Sequence, residues 1–165
     1  MIESGHEWRR GADLPNAEAA WLTGPMGDGG LSGLLGISMR LYGHGHFETE
    51  LHLRDELLLG PGSVLDPGTA MSLADTTAGW GCLVSLPDDV GGFTTIEGKA
   101  NFLATARADD LLVCEARILH EGEMTQVWDA EVRRDADQHL VATYRCTQSL
   151  LRRTRATPVS GDAAL

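Results

Sequence analysis

The stretch DPGTAMSLADTTAGWGCLV, Asp66 to Val84, decides the fold. Asp66 is a helix-capping residue type, whose carboxylate accepts from a free backbone N–H. Pro67 suits the first helical position, where its missing N–H would have had no partner. Ala70, Met71, Leu73, Ala74, Thr77, Ala78, Gly81 and Leu83 spread apolar or small groups over most of the helix surface. A helix of this pattern is predicted to be buried, not amphipathic on a surface. Pro87, Asp88 and Asp89 end it. Asp75 alone interrupts the apolar surface, and a carboxylate there is costly unless it is paired or functional.

Outward from this helix the pattern changes to period two. Upstream, Leu35 to Leu41 alternates apolar with small or polar residues, and Gly43 and Gly45 mark a turn. Phe47, Thr49, Leu51 and Leu53 then alternate with His46, Glu48, Glu50, His52 and Arg54, predicting a hairpin with one wet face. Downstream, Phe93–Leu103, Leu111–His120, Met124–Arg134 and His139–Leu151 read as four antiparallel strands, the middle two joined by a tight turn at Gly122. Asn16–Leu22 reads as a short capped helix, followed by a Gly/Pro loop. Residues 1–30 are therefore expected to be a peripheral helix and loop, 31–152 the domain proper, and 153–165 a flexible tail. One long apolar helix against one antiparallel sheet is an α+β layer arrangement.

At 165 residues, with 42% hydrophobic and 22% charged residues, the chain fits one globular domain able to bury a core. Its formal charge of −11 argues against nucleic acid, whose non-specific binding needs Lys and Arg. No apolar run approaches the ~20 residues that span a bilayer. Residues 1–10 lack the apolar region of a secretory signal, and the odd, widely spaced Cys82, Cys114 and Cys146 suit reduced thiols in a core. A cytoplasmic protein is expected. Positive charge collects late: from Arg133 onward, six Arg face three Asp.

The segment Leu57–Leu150 resembles the hotdog-fold acyl-CoA thioesterases of the phenylacetate-degradation type. Leu65 to Gly68, six further residues and Asp75 are similar to the family's L-H-G-G-x6-[DE] segment. The run FTTIEGKANFLATAR (Phe93–Arg107) is similar to its T-x-[DE]-x-x-x-[NT]-[FY]-L-x-P-A-[RK] strand. Asp109–Leu111 resembles its G-D-x-L turn, and Leu140–Thr143 its last strand.

The resemblance implies a hotdog fold, an antiparallel sheet wrapped around one long central helix. It further implies a homodimer, expected to pair into a homotetramer, with the active site between two chains. In such enzymes the free N–H groups of the helix N-terminus polarise the thioester carbonyl. An acid two turns along the partner's helix serves as nucleophile or general base, and a strand hydroxyl positions water. By this resemblance Asp75 is the acid, Thr95 the hydroxyl, and Asp66 and Gly68 lie at the helix start. Gly60, Pro67, Gly79, Phe102 and Arg107 are the expected substrate- or CoA-binding positions. The competing reading of Asp75 is a structural hydrogen bond in the dimer interface, and that of Arg107 a surface pair with Asp109 or Asp110.

This copy departs from the family where the chemistry is most sensitive. The family's His is Asp66, and the first Gly of its pair is Pro67, which has no N–H to give. The usual Asn or Gln aligns with Gly60. Asp66 as a cap would also consume the N–H of Gly68 or Thr69. Two functions follow: acyl-CoA hydrolysis with a partly degraded oxyanion hole and Gly68 N–H as donor, or a non-catalytic hotdog protein binding a thioester or another small ligand. A dehydratase or hydratase ranks behind both, because its acid/base His is missing beside the helix. No cofactor is expected. His44, His46 and His52 could converge on a metal only if they share a face; a solvated polar face is the expectation, and no metal site is assigned. Trp80 and Trp128 are expected core residues.

Overall fold

The computed structural model describes residues 9–10 and 29–152. The expected helix at Asn16–Leu22, Arg153, Arg155 and the tail lie outside the described residues. In chain order the elements are β1 (Arg9–Arg10), α1 (Gly30–Leu35), β2 (Ser38–Gly43), β3 (His46–His52), a 3-10 turn (Asp55–Leu57), α2 (Pro67–Val84), β4 (Val90–Phe102), β5 (Leu111–Glu121), β6 (Thr125–Arg134) and β7 (Leu140–Arg152). All strands pair antiparallel, in the order β1-β2-β3-β5-β6-β7-β4. The chain leaves β3, runs through α2, and returns as β4 at the far edge. The helix thus crosses one face of the sheet and touches every strand from β2 to β7.

Asp66 caps α2 as its residue type predicts, with Pro67 in the first turn. Burial follows one face: Thr69, Ala70, Leu73, Ala74, Thr77, Ala78 and Gly81 point into the sheet. The expectation of a helix buried nearly all round is corrected here. Met71 is exposed, and Ser72, Asp75, Thr76 and Gly79 are half-buried on the other face. Apart from Met71, the residues there are small or polar and need no full cover.

The sheet's inner face alternates as a half-buried strand must. Leu112, Cys114 and Ala116 of β5, Trp128, Ala130 and Val132 of β6, and Ala142, Tyr144 and Cys146 of β7 are buried. Gly81 lets the helix approach this face. A Cβ there would stand 2.6 Å from Trp128 Cζ3 and 3.3 Å from Phe47 Cβ. Ala would gain roughly 1 kcal/mol of helix propensity, but overpacking against a fixed indole costs about 1–3 kcal/mol. Gly81→Ala is therefore expected to lower the urea midpoint; an unchanged or raised midpoint would show that Trp128 yields freely.

Buried polar groups find partners. Thr77 Oγ1 donates its one proton to Leu73 O (2.7 Å), so Thr49 is the donor in the 2.7 Å contact between the two hydroxyls. Gln126 ties β6 to the residue that closes α2, with Nε2 donating to Ser85 O and Oε1 accepting from its strand neighbour Trp128 Nε1. The three cysteines are buried, and burial pushes each thiol up to about 12. Thiolate is the reactive form. At pH 8 the native protein should resist iodoacetamide while the urea-unfolded chain takes three alkyl groups; rapid native labelling would contradict this core.

The predicted strand starting at Leu35 is corrected. Gly30–Leu35 is helical, closed by Gly36 in the left-handed region (φ 81°), whose N–H bonds Ser32 O and Gly33 O. Arg54 Nη1 and Nη2 then donate to Leu35 O and Leu34 O at 2.7 and 2.6 Å. That distant cap is invisible to local periodicity.

Candidate active site

The half-buried face of α2 and the inner edge of β4 enclose a cleft of about 540 Å³. Gly68, Ser72, Asp75 and Thr76 line it from the helix, Thr95 and Gly98 from β4. A β-bulge shapes this wall. Thr95 pairs with Gln148 but Glu97 with Thr147, so one extra residue is inserted around Ile96. The bulge breaks strict alternation, and both Thr95 and Gly98 come to lie opposite inward-facing residues of β7, Gln148 and Cys146.

Hydrogen bonds define what the polar groups can do. Tyr144 Oη donates to Asp75 Oδ1 at 2.8 Å. Burial, and then this contact, push the Tyr144 phenol far above its ordinary range, so it acts as a donor and not as a base. Thr95 Oγ1 donates to Gln148 Oε1 at 2.9 Å, and Gln148 is fully buried. With its proton committed, the Thr95 oxygen offers only lone pairs to the cleft. A water there would meet two acceptors, the free Asp75 oxygen and Thr95 Oγ1.

The helix N-terminus is closed. Pro67 has no N–H. Gly68 N–H donates to Asp66 Oδ1 at 2.7 Å, and the N–H groups of Thr69 and Ala70 both reach Asp66 O. No donor of the first turn is left for an oxyanion in this arrangement.

The expected positions divide into groups. Gly68, Asp75 and Thr95 meet in the cleft. Pro67 and Phe102, with Leu65, Ala70 and Leu103, line a separate apolar groove of about 280 Å³ beside the helix start. Gly60 sits in a turn, where its carbonyl accepts from Ser63 N–H, and lines neither. Gly79 faces the Phe93 ring, 3.5 Å from where a Cβ would be. The surface pair weighed for Arg107 differs from what is found. Its backbone N–H donates to Asp110 Oδ2, and its exposed guanidinium has no ion pair among the described residues. Arg152, by contrast, is tied to Asp89 and Glu123 O.

The histidines do not form a shared wet face. His44 bonds Glu121 from the β2–β3 turn, His52 is exposed, and His46 is buried. His46 Nε2 lies 3.0 Å from Glu48 Oε1 and its Nδ1 3.5 Å from Glu115 Oε1, a cluster with metal-ligand residue types. Its carboxylates are already engaged. Arg117 pairs with Glu115, and the His46 hydrogen bond chiefly holds the Glu48 carboxyl low.

Sequence reasoning missed Tyr144, Gly98 and Gln148. Gly98 carried a signal, since a glycine inside a strand often marks a close approach. Tyr144 carried none, because its partner lies 69 residues away.

Residues 64–141 match the family model described as thioesterase superfamily. A conserved protein of Pseudomonas aeruginosa, PA5202, is 34% identical, covering 73% of this chain and 92% of that one, with a TM-score of 0.66. The chain belongs to the thioesterase superfamily. Its hotdog fold is shared with the Escherichia coli PaaI protein from the phenylacetic acid degradation operon (23% identity, 84% of this chain and 96% of that one, TM-score 0.70). It is also shared with smu.793 of Streptococcus mutans, solved bound to acetyl-CoA (21%, 72% and 91%, TM-score 0.64). No curated protein matches the sequence. No described helix is long and apolar enough to cross a membrane.

Proposed function

We propose that this superfamily member is an acyl-CoA thioesterase working with an impaired oxyanion hole. The observation that carries this is Asp75 with one oxygen held by Tyr144, in the same cleft as a Thr95 hydroxyl whose lone pairs face outward. Asp75 takes a proton from water as the water oxygen attacks the thioester carbon. Collapse of the tetrahedral intermediate breaks the C–S bond, and the CoA thiolate leaves with the proton returned by Asp75.

A dimer is part of the proposal. Gly68 and Asp75 are seven residues apart on one helix, about 10 Å along its axis. One thioester carbonyl cannot touch both, whereas a second copy can set its helix start against this Asp75. β4 suits such an interface. It is a 13-residue edge strand whose segment Thr94–Lys99 is exposed, and a bare edge of that length invites pairing. The Arg107 guanidinium supplies local positive charge for CoA phosphates in an acidic chain. The cytoplasmic setting and the boundaries of the domain at 31 and 152 belong to the same reading.

The closed first turn of α2 favours a second reading, a thioester-binding protein without turnover. An acyl-CoA panel assayed with wild type and Asp75→Asn separates them. Hydrolysis by wild type alone supports the enzyme; binding without hydrolysis of any chain length supports the second; equal hydrolysis by both removes Asp75 from the chemistry.

A further inference from the structure

We infer that Tyr144 is the positioning residue of this site: its hydroxyl, carried to Asp75 across the bare backbone of Gly98, fixes the carboxylate so that only Oδ2 serves the water. The catalytic half of the inference rests on the thioesterase reading; the contact itself does not.

Three observations converge on it. Tyr144 is 4% exposed, and a phenol buried that deeply needs an acceptor for its proton. Its acceptor is Asp75 Oδ1 at 2.8 Å, an O–H···O⁻ bond of the stronger, charge-assisted kind. The path to that acceptor is kept clear by small residues. Tyr144 pairs with Ala100 on β4 and Ala130 on β6. A Cβ on Gly98 would lie 2.4 Å from Tyr144 Oη and 3.1 Å from both Cζ and Cε2. Any side chain at 98 would displace the phenol. Asp75 stands half-buried on the open face of α2, where its short side chain has rotamers to choose from. Holding Oδ1 selects one of them before substrate arrives, which is preorganisation of the base.

The test uses the full chain with 13Cζ-labelled tyrosine, of which there are two. The resonance absent in Tyr144→Phe should move in Asp75→Asn and in Gly98→Ala, while that of Tyr42 stays. In the acyl-CoA assay Tyr144→Phe should lose roughly tenfold in kcat with KM unchanged, the loss expected of a hydrogen bond to a charged group. Asp75→Asn/Tyr144→Phe should be no slower than Asp75→Asn alone. If the two losses multiply, Tyr144 acts by packing and the inference is overturned; it is equally overturned if its resonance ignores Asp75. If Tyr144→Phe does not fold, Gly98→Ala takes its place in the rate comparison. If wild type hydrolyses nothing, the thioesterase reading fails, and the inferred contact stands or falls on the resonance.

Discussion

Asp75→Asn is expected to reduce acyl-CoA hydrolysis by about 10²–10⁴-fold, the usual contribution of a positioned general base. The substitution is nearly isosteric. The amide oxygen still accepts from Tyr144 Oη, so the residue keeps its place in the cleft and stability should change little. What is lost is the basic oxygen facing the water. A kinetic deficit without a matching drop in the urea midpoint would locate the effect in chemistry. Rates equal to wild type, in a folded protein, would remove Asp75 from the mechanism.

The second large effect runs in the opposite direction. Asp66→His with Pro67→Gly should raise kcat by about 10²-fold, since one oxyanion donor is worth roughly 10²–10³. The change restores an N–H at position 67 and frees Gly68 N–H, which now donates to Asp66 Oδ1 at 2.7 Å. It also takes a carboxylate away from the place where negative charge develops. Stability should fall by about 1–2 kcal/mol with the loss of the cap. A correctly folded double variant with an unaltered rate would show that the helix start takes no part in catalysis.

Both predictions use residues that could be read in advance. Asp75 stood out as a lone carboxylate in an apolar helix, and Asp66–Pro67 as a capping pair, because helix signals are local in sequence. The alternation of β3 and β5 to β7 was legible for the same reason, each residue reporting its own face. The strand expected from Leu35 starts instead at Ser38, because Gly30–Leu35 is a helix too short to show a period and its cap comes from Arg54. The histidine face failed similarly. Alternation put His46 on a wet face, but Glu48 beside it and Glu115 across the strand pair bury it.

What the amino-acid sequence determined by itself is the one buried-faced helix, the antiparallel strands after it, and an acid and a hydroxyl, Asp75 and Thr95, that share one cleft. Only the tertiary structure decided how those groups are tuned. Tyr144 reaching Asp75 over Gly98 is a meeting of sheet and helix, and Gln148 turning Thr95 into an acceptor and the bulge at Ile96 are meetings across strands. Their physical cause is register. Which side chains meet across strands depends on pairing and on a single inserted residue, and no local window of sequence contains either.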